Sequence, residues 1–347
     1  MTVASVILAL IATWRLTAGI IDYSLNREIL DRPEARSSHS QPTPRGGGLA
    51  IVGVFLAGNV SLWVAGMAEA EWLLVLVPGG CLVAGLGWLD DRWGLSPAWR
   101  LGGHVLAAAW LVWLSPPPPV LFFGSLELAW GWAGVVVAFL GVIWLINMYN
   151  FMDGIDGLSG GTAVVTALGG GLILLLSGRL TLFAPSLLLA ASVLGFLFWN
   201  WPNPRAKIFM GDVGSGFLGY VFAAFWLVDG RESKIGLWLW PLLLGTFLVD
   251  ATLTRLVLFY RERNFYRPHR THAYQRLANE GNWGHSQTTI TYLAIQGVWL
   301  GGWSLGLWFF PDAAGPMSLL ALLPLVVGWL VVRRLYPADP RGGDQSE

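Results

Sequence analysis

Long apolar runs recur from one end of this 347-residue chain to the other, separated by short polar or Gly/Pro-rich segments. A run of about 20 apolar residues is long enough to cross the hydrocarbon core of a bilayer as a helix. Only 12% of the residues are charged, and the mean hydropathy is +0.58. Because a soluble domain carries about a quarter charged residues, the pattern predicts an all-α, polytopic membrane protein.

The apolar runs predict about eleven transmembrane helices in one integral-membrane catalytic domain, residues 1–336, followed by a tail at 337–347. The predicted spans are roughly 3–21, 47–66, 71–89, 101–115, 129–147, 158–177, 181–199, 212–228, 235–259, 289–309 and 316–335.

Basic residues collect in alternate loops, and cytoplasmic loops are those that carry the excess of Lys and Arg. One set of loops holds sixteen basic residues, whereas the opposite set holds Arg179, Arg231 and Lys234. The amino terminus is therefore predicted outside the cell and the carboxyl terminus in the cytoplasm. The predicted cytoplasmic loops are about 22–46, 90–100, 148–157, 200–211 and 260–288. The polar motifs fall in or beside these loops, which predicts an active site at the cytoplasmic face.

Two adjacent carboxylates, Asp90 and Asp91, end the third predicted span, and Arg100 follows. Neighbouring carboxylates repel each other unless a cation lies between them, and carboxylate oxygens are the ligands of hard cations. Arg100 could bind a phosphate as a permanently charged fork. A charged helix end at the membrane interface is the alternative interpretation.

The stretch NMYNFMDGIDGLSGG places Asn147, Asn150, Asp153 and Asp156 three residues apart. Residues with this spacing are neighbours on a helix surface. Their oxygens could bind Mg²⁺, or hydrogen-bond a nucleobase or ribose. A polar turn needs only one or two such residues, so the regular spacing favours a functional site.

Asp212 begins a later span among small residues, with Arg205 and Lys207 just before it. A helix amino terminus with close backbone approach favours phosphate binding. The alternative is an Asp cap followed by small residues that pack helices. Asp250 and Arg255 lie near the inner end of the ninth span; a functional role and an internal ion pair or loop tether explain them equally.

The loop RERNFYRPHRTHAYQRL is basic and aromatic, and it contains Arg267, His269, Arg270 and His272. It could recognise a diphosphate or a sugar, or contact anionic lipid headgroups. No cysteine or further acid nearby completes a zinc site. His104 and His285 are predicted to be interfacial residues without a role in the site.

Carboxylates and basic groups together indicate a divalent cation and phosphate, the requirements of phosphoryl transfer. A site at the bilayer edge indicates that one substrate is a lipid phosphate. Two alternatives belong to other classes. A secondary transporter would line its path with the same acids, but would spread polar residues towards both faces. A lipid-binding scaffold would not need Asn and Asp spaced to chelate a metal.

Five stretches, TPRGGGLAI, DDRWGLSPAWR, NMYNFMDGIDGLSGG, KIFMGDVGSGFLGY and RPHRTHAYQRL, occur in order over residues 43–277. At these residues the chain resembles the polyprenyl-phosphate N-acetylhexosamine-1-phosphate transferases. The resemblance implies transfer of a HexNAc-1-phosphate from a UDP-sugar to undecaprenyl phosphate in the bacterial cytoplasmic membrane, with release of UMP. It also implies Mg²⁺ as cofactor, with Mn²⁺ as a substitute. The expected partners are undecaprenyl phosphate, the UDP-HexNAc and membrane lipids, with a homodimer as one oligomeric state and no nucleic acid.

The resemblance also implies roles for single residues. Asn150 and Asp212 match metal ligands, and Asp90 and Asp91 match the essential pair that faces the metal and the lipid phosphate. The remaining expected catalytic residue is Asp153. The expected substrate-binding residues are Arg100, Asn147, Asp156, Lys207, Arg267, His269, Arg270 and His272.

The histidine motif departs from that of many family members. This chain reads HRTHAYQ, with Tyr274 and Gln275 where later histidines would stand. The departure is similar to the branch that starts O-antigen, lipopolysaccharide or capsule chains rather than to the peptidoglycan branch. The expected sugar is thus a 6-deoxy HexNAc, such as N-acetylfucosamine or N-acetylquinovosamine, or GlcNAc.

Overall fold

The computed structural model describes residues 3–33, 41–201, 205–261 and 271–337. Fourteen α-helices make up most of these residues. They are α1 (Val3–Asn26), α2 (Gly48–Val64), α3 (Ala70–Trp93), α4 (Pro97–Leu114), α5 (Gly131–Phe151), α6 (Leu158–Leu176), α7 (Leu180–Asn200), α8 (Asp212–Glu232), α9 (Gly236–Leu243), α10 (Gly245–Arg261), α11 (Ala273–Asn279), α12 (Gly284–Ala294), α13 (Gly301–Phe309) and α14 (Ala314–Leu335). A π-helical segment, Ile295–Leu300, joins α12 to α13, and a 3-10 turn, Pro311–Ala313, precedes α14.

Two short antiparallel pairs are the β-structure of the described residues. Strand β1 (Leu30–Asp31) pairs with β2 (Thr43–Pro44), and β3 (Val120–Phe123) pairs with β4 (Leu126–Ala129). The β3–β4 hairpin follows the run of prolines after α4 and leads into α5.

Seven of the described helices are long and apolar enough to cross a membrane. The pair α9 and α10 makes an eighth if it counts as one broken span, because the two helices meet at an angle of 74°. The prediction of an all-α polytopic membrane protein is therefore confirmed. Each predicted span coincides with a helix or with a broken pair, but α2, α4 and the α12–α13 unit are not among these candidates, so the count of eleven and the orientation stay predictions.

Helix α8 forms the centre of the bundle, with 89% of its most apolar stretch buried, and it packs against α3, α5 and α9. Two glycines let neighbouring backbones reach its first turn. A Cβ atom on Gly48 would lie 2.3 Å from the Cα atom of Gly214, and one on Gly87 would lie 2.4 Å from the carbonyl oxygen of Asp212. Because neither position has room for a side chain, α2 and α3 are held against the residues that begin α8.

The two ends of the bundle carry different polar groups. At one end, α3 and α5 finish where α4 and α8 begin, and the motif residues meet there. At the other end lie a buried Arg179–Asp229 ion pair and an exposed Arg231–Glu71 pair at 2.6 Å. Between these ends, the described interior is predominantly apolar.

Candidate active site

Asp212, the first residue of α8, is the centre of the polar cluster. Its Oδ1 atom accepts a hydrogen bond from Asn150 Nδ2 at 2.9 Å and lies 3.2 Å from Arg45 Nη2. Its Oδ2 atom lies 3.8 Å from Arg100 Nη1. Residues from the segment before α2, the end of α5 and the start of α4 thus converge on one carboxylate.

The adjacent carboxylates of α3 have different surroundings. The Asp91 side chain is buried and accepts hydrogen bonds from the backbone N–H groups of Asp212, at 2.9 Å, and Val213, at 3.2 Å. It also lies 2.9 Å from Arg45 Nε. Asp91 therefore caps the amino terminus of α8, where negative charge is stabilising.

Asp90 faces a cavity that Asp91 does not line. Its Oδ1 atom accepts a hydrogen bond from the Leu95 N–H at 2.6 Å, and its Oδ2 atom lies 3.0 Å from Arg100 Nη1. The backbone contact fixes one oxygen of Asp90, and the Arg100 contact orients the other. Of the two carboxylates, Asp90 is the one available to a substrate in this cavity.

The four regularly spaced polar residues do not share one helix face, because α5 ends at Phe151. Asn147 and Asn150 lie on α5 and line the cavity. Asp153 lies in the turn that follows and accepts a hydrogen bond from Ser159 Oγ at 2.5 Å. Burial raises the pKa of Asp153 to about 6. Contrary to what their spacing predicted, Asp153 and Asp156 are therefore not neighbours of Asn150 on a helix surface.

Asp156 lies outside the residues that line the cavity. Its Oδ2 atom accepts a hydrogen bond from the Ala206 N–H at 2.9 Å, and its Oδ1 atom lies 3.3 Å from His285 Nδ1. Its carbonyl accepts a hydrogen bond from Thr289 Oγ1 at 2.9 Å. These contacts connect the start of α6 to the segment before α8 and to α12. The role that they indicate for Asp156 is therefore structural.

Lys207 and His272 are the described members of the predicted basic substrate-binding set besides Arg100. The Lys207 ammonium lies 5.3 Å from the ring centroid of Trp199, away from the cavity. His272 lines the cavity and is the residue that precedes α11. The predicted residues Arg267, His269 and Arg270 lie outside the described residues.

Asp250 of α10 holds the segment that contains His272. Its buried carboxylate accepts hydrogen bonds from the N–H groups of Ala273, at 2.8 Å, and Tyr274, at 3.1 Å, and from the Tyr292 hydroxyl at 2.9 Å. The Nδ1 atom of His272 lies 3.5 Å from Asp250 Oδ1. Of the two interpretations of Asp250, these contacts support the loop tether.

Arg45 and His104 were not predicted as site residues from the sequence. Arg45 bridges Asp91 and Asp212; burial lowers its pKa, but these carboxylates outweigh that effect and raise the pKa above its usual value. His104 lines the cavity, with Nδ1 3.2 Å from Asn147 Nδ2. The sequence feature that could have identified Arg45 is its position beside three glycines at the start of a span. His104 is an isolated histidine in an apolar run, and no sequence feature marked it as a site residue.

A cavity of about 960 Å³ extends from this cluster between α3, α4, α5 and α10. Its polar end contains Asp90, Arg100, His104, Asn147, Asn150, Asp212, His272 and Gln275. Its other walls are mainly apolar, and several of these side chains are about half exposed, including Leu101, Leu140, Leu256 and Phe259. The cavity is therefore open on a side whose composition suits the lipid phase.

The polar end offers oxygen ligands suited to Mg²⁺. Within the described ranges, no three His, Cys, Asp or Glu side chains are grouped to hold a metal ion. Mg²⁺ is commonly bound through only one or two carboxylates, with waters and substrate phosphates completing its shell. Asp212 supplies such a carboxylate. Its neighbour Asn150 turns its amide nitrogen towards Asp212, so sharing an ion would require that amide to rotate.

Known proteins resemble this chain over most of its length. The model of Glycosyl transferase family 4 matches residues 73–229. A decaprenyl-phosphate N-acetylglucosaminephosphotransferase of Mycobacterium tuberculosis (strain ATCC 25618 / H37Rv) is 31% identical, over 95% of this chain and 89% of its own. A probable undecaprenyl-phosphate N-acetylglucosaminyl 1-phosphate transferase of Bacillus subtilis (strain 168) is 28% identical, over 84% and 81%. A phospho-N-acetylmuramoyl-pentapeptide-transferase of Thermosynechococcus vestitus is 31% identical, over 86% and 77%.

The bundle, its cavity and these similarities define a multi-pass membrane transferase. The chain belongs to glycosyl transferase family 4, together with the polyprenyl-phosphate N-acetylglucosamine phosphotransferases that it matches. The family predicted from the five motifs is thereby confirmed.

Proposed function

We propose that this protein transfers a HexNAc-1-phosphate from a UDP-sugar to undecaprenyl phosphate and releases UMP. The observation that carries the proposal is the continuity of the cavity: one space joins Asp90, Arg100 and Asp212 to apolar walls that are open on the outside of the bundle. Such a space suits a substrate with a charged head and a long apolar chain.

The proposed cofactor is Mg²⁺, bound by Asp212 and Asn150, with Mn²⁺ as a substitute. When bound, such an ion neutralises charge on the diphosphate of the donor. Arg45 and Arg100 already lie against the carboxylates of this cluster, so the protein's own cations can contribute to the same neutralisation.

In the proposed reaction, an oxygen of the lipid phosphate attacks the sugar-bearing phosphorus of the donor. A bond forms from that oxygen to phosphorus, and the bond to the UMP oxygen breaks, with its electron pair leaving on UMP. The second pKa of a phosphate monoester is about 6, so the acceptor needs no strong base at neutral pH. Asp90, fixed by Leu95 and Arg100, positions the acceptor; an aspartyl-phosphate intermediate on Asp90 is the alternative route.

The relatives' names favour GlcNAc as the first donor to test, since two of the similar proteins are named for it. The HRTHAYQ sequence motivates the 6-deoxy sugars N-acetylfucosamine and N-acetylquinovosamine as further donors. In the structure, Gln275 of this motif lines the cavity, whereas the Tyr274 hydroxyl is turned to the Phe151 carbonyl at 3.1 Å. The corresponding cellular role is to start the synthesis of O-antigen or other lipopolysaccharide chains. It would do so at the cytoplasmic face of a bacterial inner membrane.

The central span argues against the transporter alternative. Residues 216–228 of α8 are apolar apart from Tyr220, whose hydroxyl donates a hydrogen bond to the Val75 carbonyl at 2.6 Å. A transport path along this helix would need polar groups between the Asp212 end and the Asp229 end.

The test is UMP release by the purified protein in detergent with undecaprenyl phosphate and a panel of UDP-HexNAc and UDP-6-deoxy-HexNAc donors. We expect release to require the lipid and a divalent cation, and to stop when EDTA is added. Asp90→Asn and Asp212→Asn should each abolish release while helical content is unchanged. No release from any donor by the folded wild-type protein, or full activity in both variants, would contradict the proposal.

A further inference from the structure

Helix α10 presents one continuous stripe of side chains to the cavity. The stripe consists of Leu248, Thr252, Arg255, Leu256 and Phe259. Their separations of three and four residues place them on one helix face. On another face of α10, Asp250 and Thr254 are buried against α11, α12 and α14, where Thr254 accepts a hydrogen bond from Trp329 at 3.1 Å. Arg255 is the charged member of the stripe.

Contacts with α5 hold Arg255 in place. Its guanidinium carbon lies 3.9 Å from the ring centroid of Phe151, the residue that follows Asn150. One turn earlier on α10, Thr252 accepts a hydrogen bond from Trp144 Nε1 at 3.1 Å. An arginine in an apolar span is costly, and such residues commonly face a cavity where they bind a substrate or ion. The stacked ring leaves the planar fork of Arg255 oriented rather than free to rotate.

Arg255 lies between the two parts of the cavity. Its neighbours on one side are the polar residues around Asn150, next to Phe151. Its neighbours along α10, Leu256 and Phe259, are 47% and 58% exposed. A lipid whose chain stays in the bilayer would bring its headgroup past these two side chains before it reached Asp90. The donor sugar nucleotide has no chain to occupy this part of the cavity.

We propose that Arg255 binds the phosphate of the acceptor lipid, so that the prenyl chain lies along Leu256 and Phe259 while the phosphate faces Asp90. This inference rests on the proposed function for the identity of the acceptor. A guanidinium suits this role because it stays charged and can form two parallel hydrogen bonds to a phosphate monoester.

The first test is the kinetics of Arg255→Gln and Arg255→Lys. We expect Arg255→Gln to raise the KM for undecaprenyl phosphate about tenfold or more, the loss typical of a charge-assisted hydrogen bond, while the KM for the UDP-sugar changes less than about twofold. Arg255→Lys should recover part of the loss. The matched control is Arg92→Gln, since Arg92 also lies over aromatic rings, Trp88 and Trp93, but does not line the cavity.

The second test does not depend on turnover. Native mass spectrometry of the protein with undecaprenyl phosphate or with undecaprenol, in the absence of donor, measures the preference for the phosphate. We expect the wild type and Arg92→Gln to prefer the phosphate and Arg255→Gln to lose that preference. Equal preference in all three proteins would overturn the inference, as would a rise in the KM of the donor alone. The wild type could release no UMP and still prefer the phosphate over undecaprenol, with this preference lost in Arg255→Gln. That result would contradict the proposed reaction but support the phosphate site at Arg255.

Discussion

The carboxylate of Asp91 accepts a hydrogen bond from the backbone N–H of Asp212 at 2.9 Å, so one acidic residue of the cluster caps the helix that begins with another. We expect Asp91→Ala to lower the free energy of unfolding by about 1–2 kcal/mol, the typical cost of a lost cap. Asp90→Asn should abolish turnover with little change in stability, because Asp90 faces the cavity. Thermal denaturation in detergent, with both variants beside the wild type, checks the contrast. Equal melting temperatures for the two variants would contradict it.

Arg45 joins Asp91 to Asp212, and its removal leaves two carboxylates close together without their shared cation. Breaking a buried ion pair costs about 3–5 kcal/mol, and we expect less here because the Arg45 side chain is 33% exposed. Arg45→Gln should therefore melt below the wild type, and added Mg²⁺ should recover part of the difference. Arg92→Gln is the control for the loss of one positive charge. A melting temperature of Arg45→Gln that is unchanged, with and without Mg²⁺, would count against this role.

Asp250 and His272 should act as one unit, because the carboxylate holds both the residue that precedes α11 and the first turn of that helix. We expect Asp250→Asn to lower kcat/KM, and the double variant Asp250→Asn/His272→Ala to be little worse than His272→Ala alone. Tyr292→Phe removes one hydrogen bond to the same carboxylate and should have a smaller effect, about 1 kcal/mol on stability. Fully additive losses in the double variant would show that Asp250 does not act through His272.

The raised pKa of Asp153 should make the stability of the protein depend on pH. Since burial raises the pKa of Asp153 to about 6, the folded protein retains a proton that the unfolded chain loses near pH 4. Stability from this group is therefore full below about pH 4 and falls as the pH rises to about 6. At pH 7.5 the buried, ionised Asp153 lowers the free energy of unfolding by up to about 3 kcal/mol. In metal-free protein we expect Asp153→Asn to remove this loss of stability. Melting curves of wild type and variant at pH 5 and pH 7.5 measure it; a wild-type advantage that grows with pH would contradict the prediction.

The motifs predicted which residues meet, but not how each side chain is used. Asp90 and Asp91 are indistinguishable in sequence, and their separate roles depend on where the start of α8 packs against α3. Arg45 has partners 46 and 167 positions away in the chain, so local spacing could not connect them. The end of α5 at Phe151 likewise limited the prediction from the three-residue spacing. Residues three apart are neighbours only where the chain is helical, and the sequence did not show where the helix ends.

The short helix α11 was predicted only as part of a cytoplasmic loop. Its seven residues, AYQRLAN, are too few to show an amphipathic pattern. What stabilises it is the carboxylate of Asp250, which lies more than twenty residues earlier in the chain. Tertiary contacts of this kind decide the structure of short elements, and they carry no local signature.

The 74° bend between α9 and α10 sets α10 obliquely to the helix before it, and α10 brings both Arg255 and the half-exposed Leu256 and Phe259 to the cavity wall. Because these two apolar side chains are about half exposed, a long chain bound in the proposed way need not be enclosed by the protein. With the proposed acceptor site, the protein would have little means of measuring how many isoprene units follow the first few. Species that synthesise carriers of different length could supply the same active site without any change in it.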